Sequence, residues 1–432
     1  MFLSVSLALA SLVQAPPSRA TIRVTVGVDF GTAGKPALHR EVELATNANA
    51  VDAARALADV EQDWLCCSKD DVWSIGGVGP DPRRDRYWMW KLGGEMGPNL
   101  PARHRLADGD VVDWIYAGGT EPVKLEARVV SLLPAATEIA LAVGGESALV
   151  GLSHLCAQPP GRELPRVLST PVDSERWNMA EIDRFVHDAG ERKQALYVLD
   201  EARIRELAPT LVLSQGLCPV CAATPEVIEP ALAKHAEKRA RLLVLSPHTL
   251  GDVAQNIRDV GQALERESPG KIAARDFERR IEAVRAKPRP SPRPRVVVLE
   301  WFEPLWVSGE WIAEMVEAAG GEPLLAGVKD PSRRIAWKDL ATADPDVIVL
   351  AACSMSVART ERELGALLAR DEWTALRAVR NANVFVMNGE RHFSTPGPGL
   401  AEGAELLQTI LRDPRGASPP PAAQWKRVGA PR

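Results

Sequence analysis

The stretch Val129–Cys156, VVSLLPAATEIALAVGGESALVGLSHLC, constrains this chain more than any other. An apolar run, Val129–Leu133, stops at Pro134. Thr137 and Glu138 then open an apolar helix, Gly144-Gly145 ends it, and a second apolar run, Ala148–Leu152, leads to Ser153. Strand, tight loop, helix, strand is one right-handed crossover of a parallel sheet. Ligands of such sheets sit beyond the carboxyl ends of the strands, so the Pro134–Thr137 loop and the Ser153–Cys156 segment are expected at one crevice. Neither a nucleophile–base pair nor a phosphate-cradling glycine loop accompanies the unit. It reads as built to hold something rather than to transform it.

With 432 residues the chain is long enough for two or three domains with full cores. Its 46% hydrophobic and 25% charged content is that of a soluble globular protein. A formal charge of −5 supplies no basic field for nucleic acid. Residues 1–20, MFLSVSLALASLVQAPPSRA, carry an apolar core from Phe2 to Val13 and a small-x-small site through Ser18 and Ala20, but no Lys or Arg ahead of the core. They are read as a signal peptide, imperfect in that respect, with a buried N-terminal strand as the alternative. The run is too short to span a membrane and no other stretch qualifies, so no insertion is expected. The six cysteines, Cys66, Cys67, Cys156, Cys218, Cys221 and Cys353, permit disulfides without showing them.

Beyond the leader, residues 21–116 open with the alternating strand TIRVTVGVDF, continue with a helical VDAARALADV, and end in LADGDVVDWIY. That order suggests a small mixed fold of the β-grasp kind. Residues 117–127 form a linker. Residues 128–249 and 295–413 each alternate strands and helices as doubly wound α/β lobes. Between them one long helix is expected over 250–286, with Ser268-Pro269-Gly270 kinking or interrupting it. Residues 287–294, KPRPSPRP, make a stiff extended connector, and the Pro- and Ala-rich tail 414–432 is expected to be disordered.

Five blocks in the 128–414 region resemble the periplasmic cobalamin-binding proteins of ABC importers, the helix-linked class of substrate-binding proteins. They are RVVSLLPAATEIALAVGG, LVGLSHLCAQPP, YVLDEARIRELAPTLVLSQGLCPVCA, WVSGEWIAEMVEAAGGEPLL and VRNANVFVMNGERHFSTPGPGLAEGAELL. The GLCPVCA block is narrower than the fold and points to the cobalamin type. The first domain resembles, more loosely, the β-grasp-like domain at the C-terminus of transcobalamin. That likeness rests on TIRVTVGVDF, VDAARAL, Trp73-Ser-Ile-Gly-Gly, Tyr87-Trp88-Met89-Trp90 and LADGDVVDWIY. In transcobalamin that domain closes over the corrinoid, which implies a lid here, with Tyr87, Trp88 and Trp90 as its contacts. The rival reading puts those rings in the domain's own core.

A corrinoid is a large flat ring fringed with amides, held by aromatic faces and a few polar groups. Trp301 and Trp306 follow the VVVLE strand, Trp311 follows Ser308-Gly309, and Trp177 lies in a polar loop. The resemblance places aromatics near Trp177 and Trp306. Pro134, Ala135 and Thr137 offer backbone N–H groups at a helix start. Gln215 and Gly216 end the LVLS strand, and His392, Phe393 and Ser394 precede Pro396-Gly397-Pro398. The resemblance puts that loop at the cleft too, though Thr395 and Gly399 stand where the family often has arginines.

His154 could reach cobalt as an axial imidazole or be a loop histidine bonded to backbone. Cys218 and Cys221 have the spacing of a zinc pair, with His154 and Cys156 as partners, of a redox dithiol, or of a disulfide stiffening a loop. By resemblance, a carboxylate on each lobe docks onto the importer, with Glu181 and Glu310 nearest those places.

Taken together, the chain is expected to be an exported, monomeric, non-enzymatic protein with no cofactor or metal of its own. It would capture cobalamin between two lobes for an ABC importer. A binder of another metal chelate, haem or a siderophore, is the near rival, and a thiol- or metal-dependent oxidoreductase the distant one.

Overall fold

The computed structural model describes residues 21–62, 70–119, 123–192, 194–217, 223–235, 240–414, 416 and 424–429. The leader, Cys66, Cys67, Cys218 and Cys221 lie outside the described residues. Two compact units emerge: the described residues up to Pro80 with Tyr87–Gly118, and Asp81–Arg86 with the described residues from Gly119 onward.

In the first unit five strands run in the order Leu38–Ala45, Thr21–Asp29, Val111–Ala117, Tyr87–Leu92, Glu95–Met96. The two central ones, Thr21–Asp29 and Val111–Ala117, are parallel and the other neighbours antiparallel. Strand alternation puts Ile22, Val24, Val26 and Val28 on one face. That face shares its core with the short helix Ala50–Arg55, whose start is held by an Asn49/Asp52 capping box.

Trp88 and Trp90, two apart on one strand, point to the same side, and that side is this core. They are 8% and 6% exposed, and their indole N–H groups donate to Val78 O (2.6 Å) and Asn99 O (3.0 Å). Phe30 and Tyr116 lie against Trp88, and Trp114 against Trp90. The aromatic face expected to contact ligand is therefore the domain's own interior, because these are the largest apolar surfaces a small sheet has to bury. Tyr87 takes the other face and is half-buried.

The second unit holds two sheets. The N-lobe order is Val198–Leu199, Arg166–Ser169, Leu149–Ser153, Val129–Ser131, Leu211–Gln215, Arg241–Leu245, parallel except at the first edge. The sheet is wound both ways from Val129–Ser131, which creates a crevice at the carboxyl ends. The helix after it runs Pro134–Ala142, three residues earlier than the Thr137 start expected, because Pro suits a first helical position whose N–H has no partner. Gly144, at φ +77°, turns the chain out of this helix.

The C-lobe order is Arg333–Arg334, Leu305–Val307, Arg295–Phe302, Val347–Leu350, Val384–Met387, Trp425–Val428. Its last strand falls in the tail expected to be disordered. Trp425 is 1% exposed and edge-on to Phe385 at 5.5 Å, and the Arg427 guanidinium lies over the same ring. The Pro- and Ala-rich composition around it hides a four-residue strand that gains its stability from a distant edge.

The linking helix also differs from expectation. Two helices, Leu250–Ala263 and Glu267–Ala286, replace the single one, and the break falls at Glu265, φ +58°, rather than at Pro269. Pro269 sits in the first turn of the second helix, where no intrahelical N–H is lost. The pair folds back on itself so closely that a Cβ on Gly261 would lie 2.6 Å from Gly270 Cα. Arg258 pairs with Glu278 across it at 2.5 Å. The chain passes to the C-lobe through the second helix, 20 residues or roughly 30 Å long, while the first helix packs on both lobes, its Leu250 N–H donating to Glu314 at 2.7 Å. One apolar core runs from the N-lobe (Ile139, Ala140) through Ile257, Phe277 and Ile281 to the C-lobe (Met315, Phe385, Leu407). No described helix is long and apolar enough to cross a membrane.

Candidate functional site in the inter-lobe cleft

Within the second unit, the carboxyl ends of strands from both lobes meet at a cavity of about 120 Å³. The N-lobe contributes His154 and Leu155, just past Leu149–Ser153, Thr170, just past Arg166–Ser169, and Tyr197. The C-lobe contributes Trp301, near the end of Arg295–Phe302, and Cys353 to Met355, past Val347–Leu350. The third wall comes from the excursion between Ser169 and Leu196, which supplies Val172, Ile182 and Val186.

Each polar wall residue has a local reason for its pose. The His154 ring lies 6.0 Å from the Tyr197 ring, tilted by 37°, and its Nδ1 is buried without a hydrogen-bond partner. Burial lowers its pKa, the Leu168 carbonyl opposes this, and Arg166 adds to the fall, so the imidazole is neutral near pH 7. The Trp301 indole N–H donates to Glu303 O at 3.1 Å, which fixes the ring at the cavity edge. Ser354 adopts φ +56°, uncommon for a residue with a Cβ, and Ser394 Oγ accepts its N–H at 2.9 Å. Ser394 in turn donates to Gly389 O. The Cys353 thiol is free and half-buried. Among the described residues the lining carries no Lys, Arg, Asp or Glu, and no cluster of three metal-binding side chains occurs. The site can hold an uncharged, largely flat surface, and its ring nitrogen, phenol and thiol are its strongest polar groups.

The family model for periplasmic binding proteins matches residues 129–390. The chain belongs to this family. A periplasmic binding protein of this kind is a substrate-binding component of ABC import and not an enzyme. A protein named Vitamin B12-binding protein, from Vibrio parahaemolyticus, is 27% identical over 303 residues, covering 68% of this chain and 92% of its own. A periplasmic heme binding protein from Pseudomonas aeruginosa superposes with TM-score 0.51 at 19% identity, over 70% of this chain and 98% of that one. The periplasmic heme-binding protein HutB of Vibrio cholerae gives 0.50 at 20%, over 66% and 98%. These two structures share the two-lobed fold of the second unit.

Set against this periplasmic binding protein fold, the residues expected at the site fall into three groups. His154 and Trp301 line the cavity. Others lie in the packing behind it. Thr137 is 2% exposed and its hydroxyl bonds Ser131 Oγ at 2.8 Å, stapling the strand-to-helix turn, with Ala135 buried and Pro134 half-buried beside it. Cys156 is in the core, 3.2 Å from Ser153 Oγ. Trp311 is buried and donates to Phe393 O at 2.7 Å, and Phe393 and His392 are themselves buried. Trp177 packs on Phe185 at 5.3 Å and against the C-lobe core, and Trp306 is half-buried outside the cavity lining. Gln215 is buried at the end of its strand and Gly216 exposed. Ser394 stands behind Ser354, as above. The third group, Cys218 and Cys221, lies outside the described residues.

Of the two carboxylates expected to dock, Glu181 is exposed and accepts the Asn178 N–H at 2.8 Å, while Glu310 is 3.1 Å from His248 Nδ1. The loop with Gly397 and Gly399 faces the N-lobe helix: a Cβ on Gly397 would lie 2.8 Å from Glu138 Oε2. Glu138 therefore faces the other lobe. Sequence reasoning missed Tyr197 and Cys353. Tyr197 immediately precedes the short strand Val198–Leu199 and Cys353 follows Val347–Leu350 by three residues, and that nearness to a strand terminus was the available signal.

Proposed function

We propose that the chain captures cobalamin, or a related corrinoid, in the inter-lobe cleft and passes it to the membrane subunits of an ABC importer. The observation that carries this reading is the uncharged lining. A haem presents two propionates and a ferric siderophore several anionic oxygens, both of which call for Arg or Lys at the site. A corrin ring fringed with amides asks for aromatic and apolar faces and a few hydrogen-bonding groups, which Trp301, Leu155, Tyr197, Thr170 and Ser354 supply. The relative named for vitamin B12 supports the same choice. Neutral imidazole, as at His154 on the cavity wall, suits a cobalt ligand. Export, with residues 1–20 as its signal peptide, belongs to the same reading.

Haem remains the second reading on one specific ground: imidazole, phenolate and thiolate are all haem-iron ligands, and His154, Tyr197 and Cys353 share this cavity. Titration of the purified protein with cyanocobalamin and, separately, with haem, followed by calorimetry and by the absorbance of each ring, decides between them. One-to-one binding of cyanocobalamin with a Kd near or below about 1 μM supports capture. Binding of haem alone moves the assignment to that chelate.

A further inference from the structure

The cavity is too small for the ligand it is proposed to hold. At about 120 Å³ it falls below the ~300–1,000 Å³ usual for small-molecule sites, and a corrinoid lies at the top of that range or beyond. Something in its wall has to move. The lobes themselves are poorly placed to do so, since one apolar core and one linking helix join them.

The excursion from Thr170 to Glu191 is differently attached. It leaves the N-lobe sheet after Ser169 and returns at Val198, yet its largest buried side chains belong to the other lobe. Met179 (1% exposed) and Ile182 (8%) sit in the C-lobe core with Phe302, Leu350 and Met355. A buried ion pair on the C-lobe helix Val357–Leu368 grips it. Arg359, 5% exposed, donates to Ser174 O at 2.9 Å and Trp177 O at 2.7 Å, and pairs with Glu363. Glu363 accepts the Met179 N–H, at the start of the helix Met179–Glu191, at 3.1 Å. Paired charges this deep are tolerated when every prong finds a partner, and the excursion's backbone supplies those partners. Ile182 and Val186, four apart on one helix face, meet the cavity opposite Trp301. Glu181, Arg184, His187 and Glu191 turn to solvent.

We infer that Thr170–Glu191 is a strap, latched to the C-lobe by Arg359 and Glu363, that fills the ligand's place with Ile182 and Val186 and must release before a macrocycle enters. This rests on the reading of the cleft as the binding site. The strap is held by its ends, by the Arg359–Glu363 latch, by an exposed Arg362–Glu175 pair and by a few apolar side chains, whereas the lobes share a continuous core, so it opens at lower free energy than they separate. Ligand-free protein is self-occluded, and the latch sets how fast ligand enters.

Hydrogen exchange of the full-length protein, with and without saturating cyanocobalamin, tests this alongside Arg359→Gln and Glu363→Gln. The milder Glu363→Gln keeps an acceptor for Met179 N–H. Expected are amides of Met179–Glu191 that exchange about tenfold faster in either variant, while Leu211–Gln215 is unchanged. Cyanocobalamin should deprotect the same amides in the unaltered protein and associate about tenfold faster with the variants. Strap amides that exchange together with Leu211–Gln215 in every form overturn the proposal, and so does cyanocobalamin binding that protects them. Variants that free the strap while neither cyanocobalamin nor haem binds leave the latch standing and overturn the assigned ligand instead.

Discussion

The two sides of the second unit are held by different physics. Behind the cleft, the linking helix and both lobes share one apolar core in which Ile257, Phe277, Ile281, Met315 and Leu407 are 5% exposed or less. At the cleft, the lobes meet through a strap whose grip is the buried Arg359–Glu363 pair with the carbonyls it holds, an exposed Arg362–Glu175 pair, and a few apolar side chains such as Met179, Ile182 and Trp177. Apolar burial is non-directional and cooperative, so the rear side behaves as one body. A polar latch is directional and exchangeable with water or ligand, so the front can open alone. A binding protein built this way needs little lobe motion, because the moving part is one segment of 20-odd residues rather than half the molecule.

The hardest way to break the comparison is to weaken the rear. Phe277→Ala removes a side chain that is 2% exposed at the junction of helix and lobes. Its expected cost is about 3–5 kcal/mol. Urea unfolding read by tryptophan fluorescence and by far-ultraviolet dichroism should shift as one transition for both lobes. Separate transitions, one per lobe, would show that the core does not join them.

Next in size is the carboxylate at the lobe junction. Burial pushes the Glu138 carboxyl up from 4.5 to about 7, with Gly399 N–H and Arg391 pulling down and Glu402 adding to the rise. Its contribution to stability is complete below pH 4.5 and is lost as pH rises to about 7. The loss amounts to about 3 kcal/mol at most. Glu138→Gln, which keeps an acceptor for Gly399 N–H, should match the parent near pH 4 and exceed its stability above pH 7. His392, lowered from 6.5 chiefly by burial, slopes the other way: its contribution is present above 6.5 and falls as pH drops. It is common to both proteins and cancels in their difference. A difference that stays flat from pH 4 to 8 would rule out the buried titration.

At the front, Trp301→Ala should weaken cyanocobalamin binding about 10–100-fold, or roughly 1.4–2.8 kcal/mol. Trp306→Ala, outside the cavity lining, should change it less than about threefold, within the small effect usual away from a contact. Equal losses from both, measured by calorimetry, would move the ligand out of the cavity.

What the sequence makes legible divides along the same line. The crossover at Val129–Ser153 declares itself, because strand, Pro134 and Gly144 act within a few residues of one another. Strand ends also announce His154 and Trp301. The strap does not: Arg359 reaches Ser174 across 185 positions, and no local pattern distinguishes a latch arginine from a solvated one. Trp177 drew attention as an aromatic in a polar loop and Trp306 as one following a strand, both near places where the resemblance puts an aromatic, but whether a ring faces a core or a cleft is decided by the partner lobe. The tail strand Trp425–Val428 escaped for the same reason, since its pairing edge, Val384–Met387, is some 40 residues earlier and its own neighbours are Pro and Ala.

The smallest change sharpens the comparison most, because the same chemistry occurs on both sides. Thr249 caps the rear helix Leu250–Ala263 through Asp252 N–H at 3.1 Å, and Asn178 caps the strap helix through Glu181 N–H at 2.9 Å. Replacing either by Ala removes one N-terminal hydrogen bond, a change of about 1 kcal/mol. At the rear, Leu250–Ala263 unfolds with the shared core, so Thr249→Ala should lower global stability by that amount. In the strap, Met179–Glu191 opens before the core does, so Asn178→Ala should leave the urea midpoint in place and raise exchange locally, about fivefold. The readout differs although the bond lost is the same, since a cap stabilises whatever unit unfolds with it. An Asn178→Ala protein that loses global stability like its rear counterpart would mean that the strap belongs to the core.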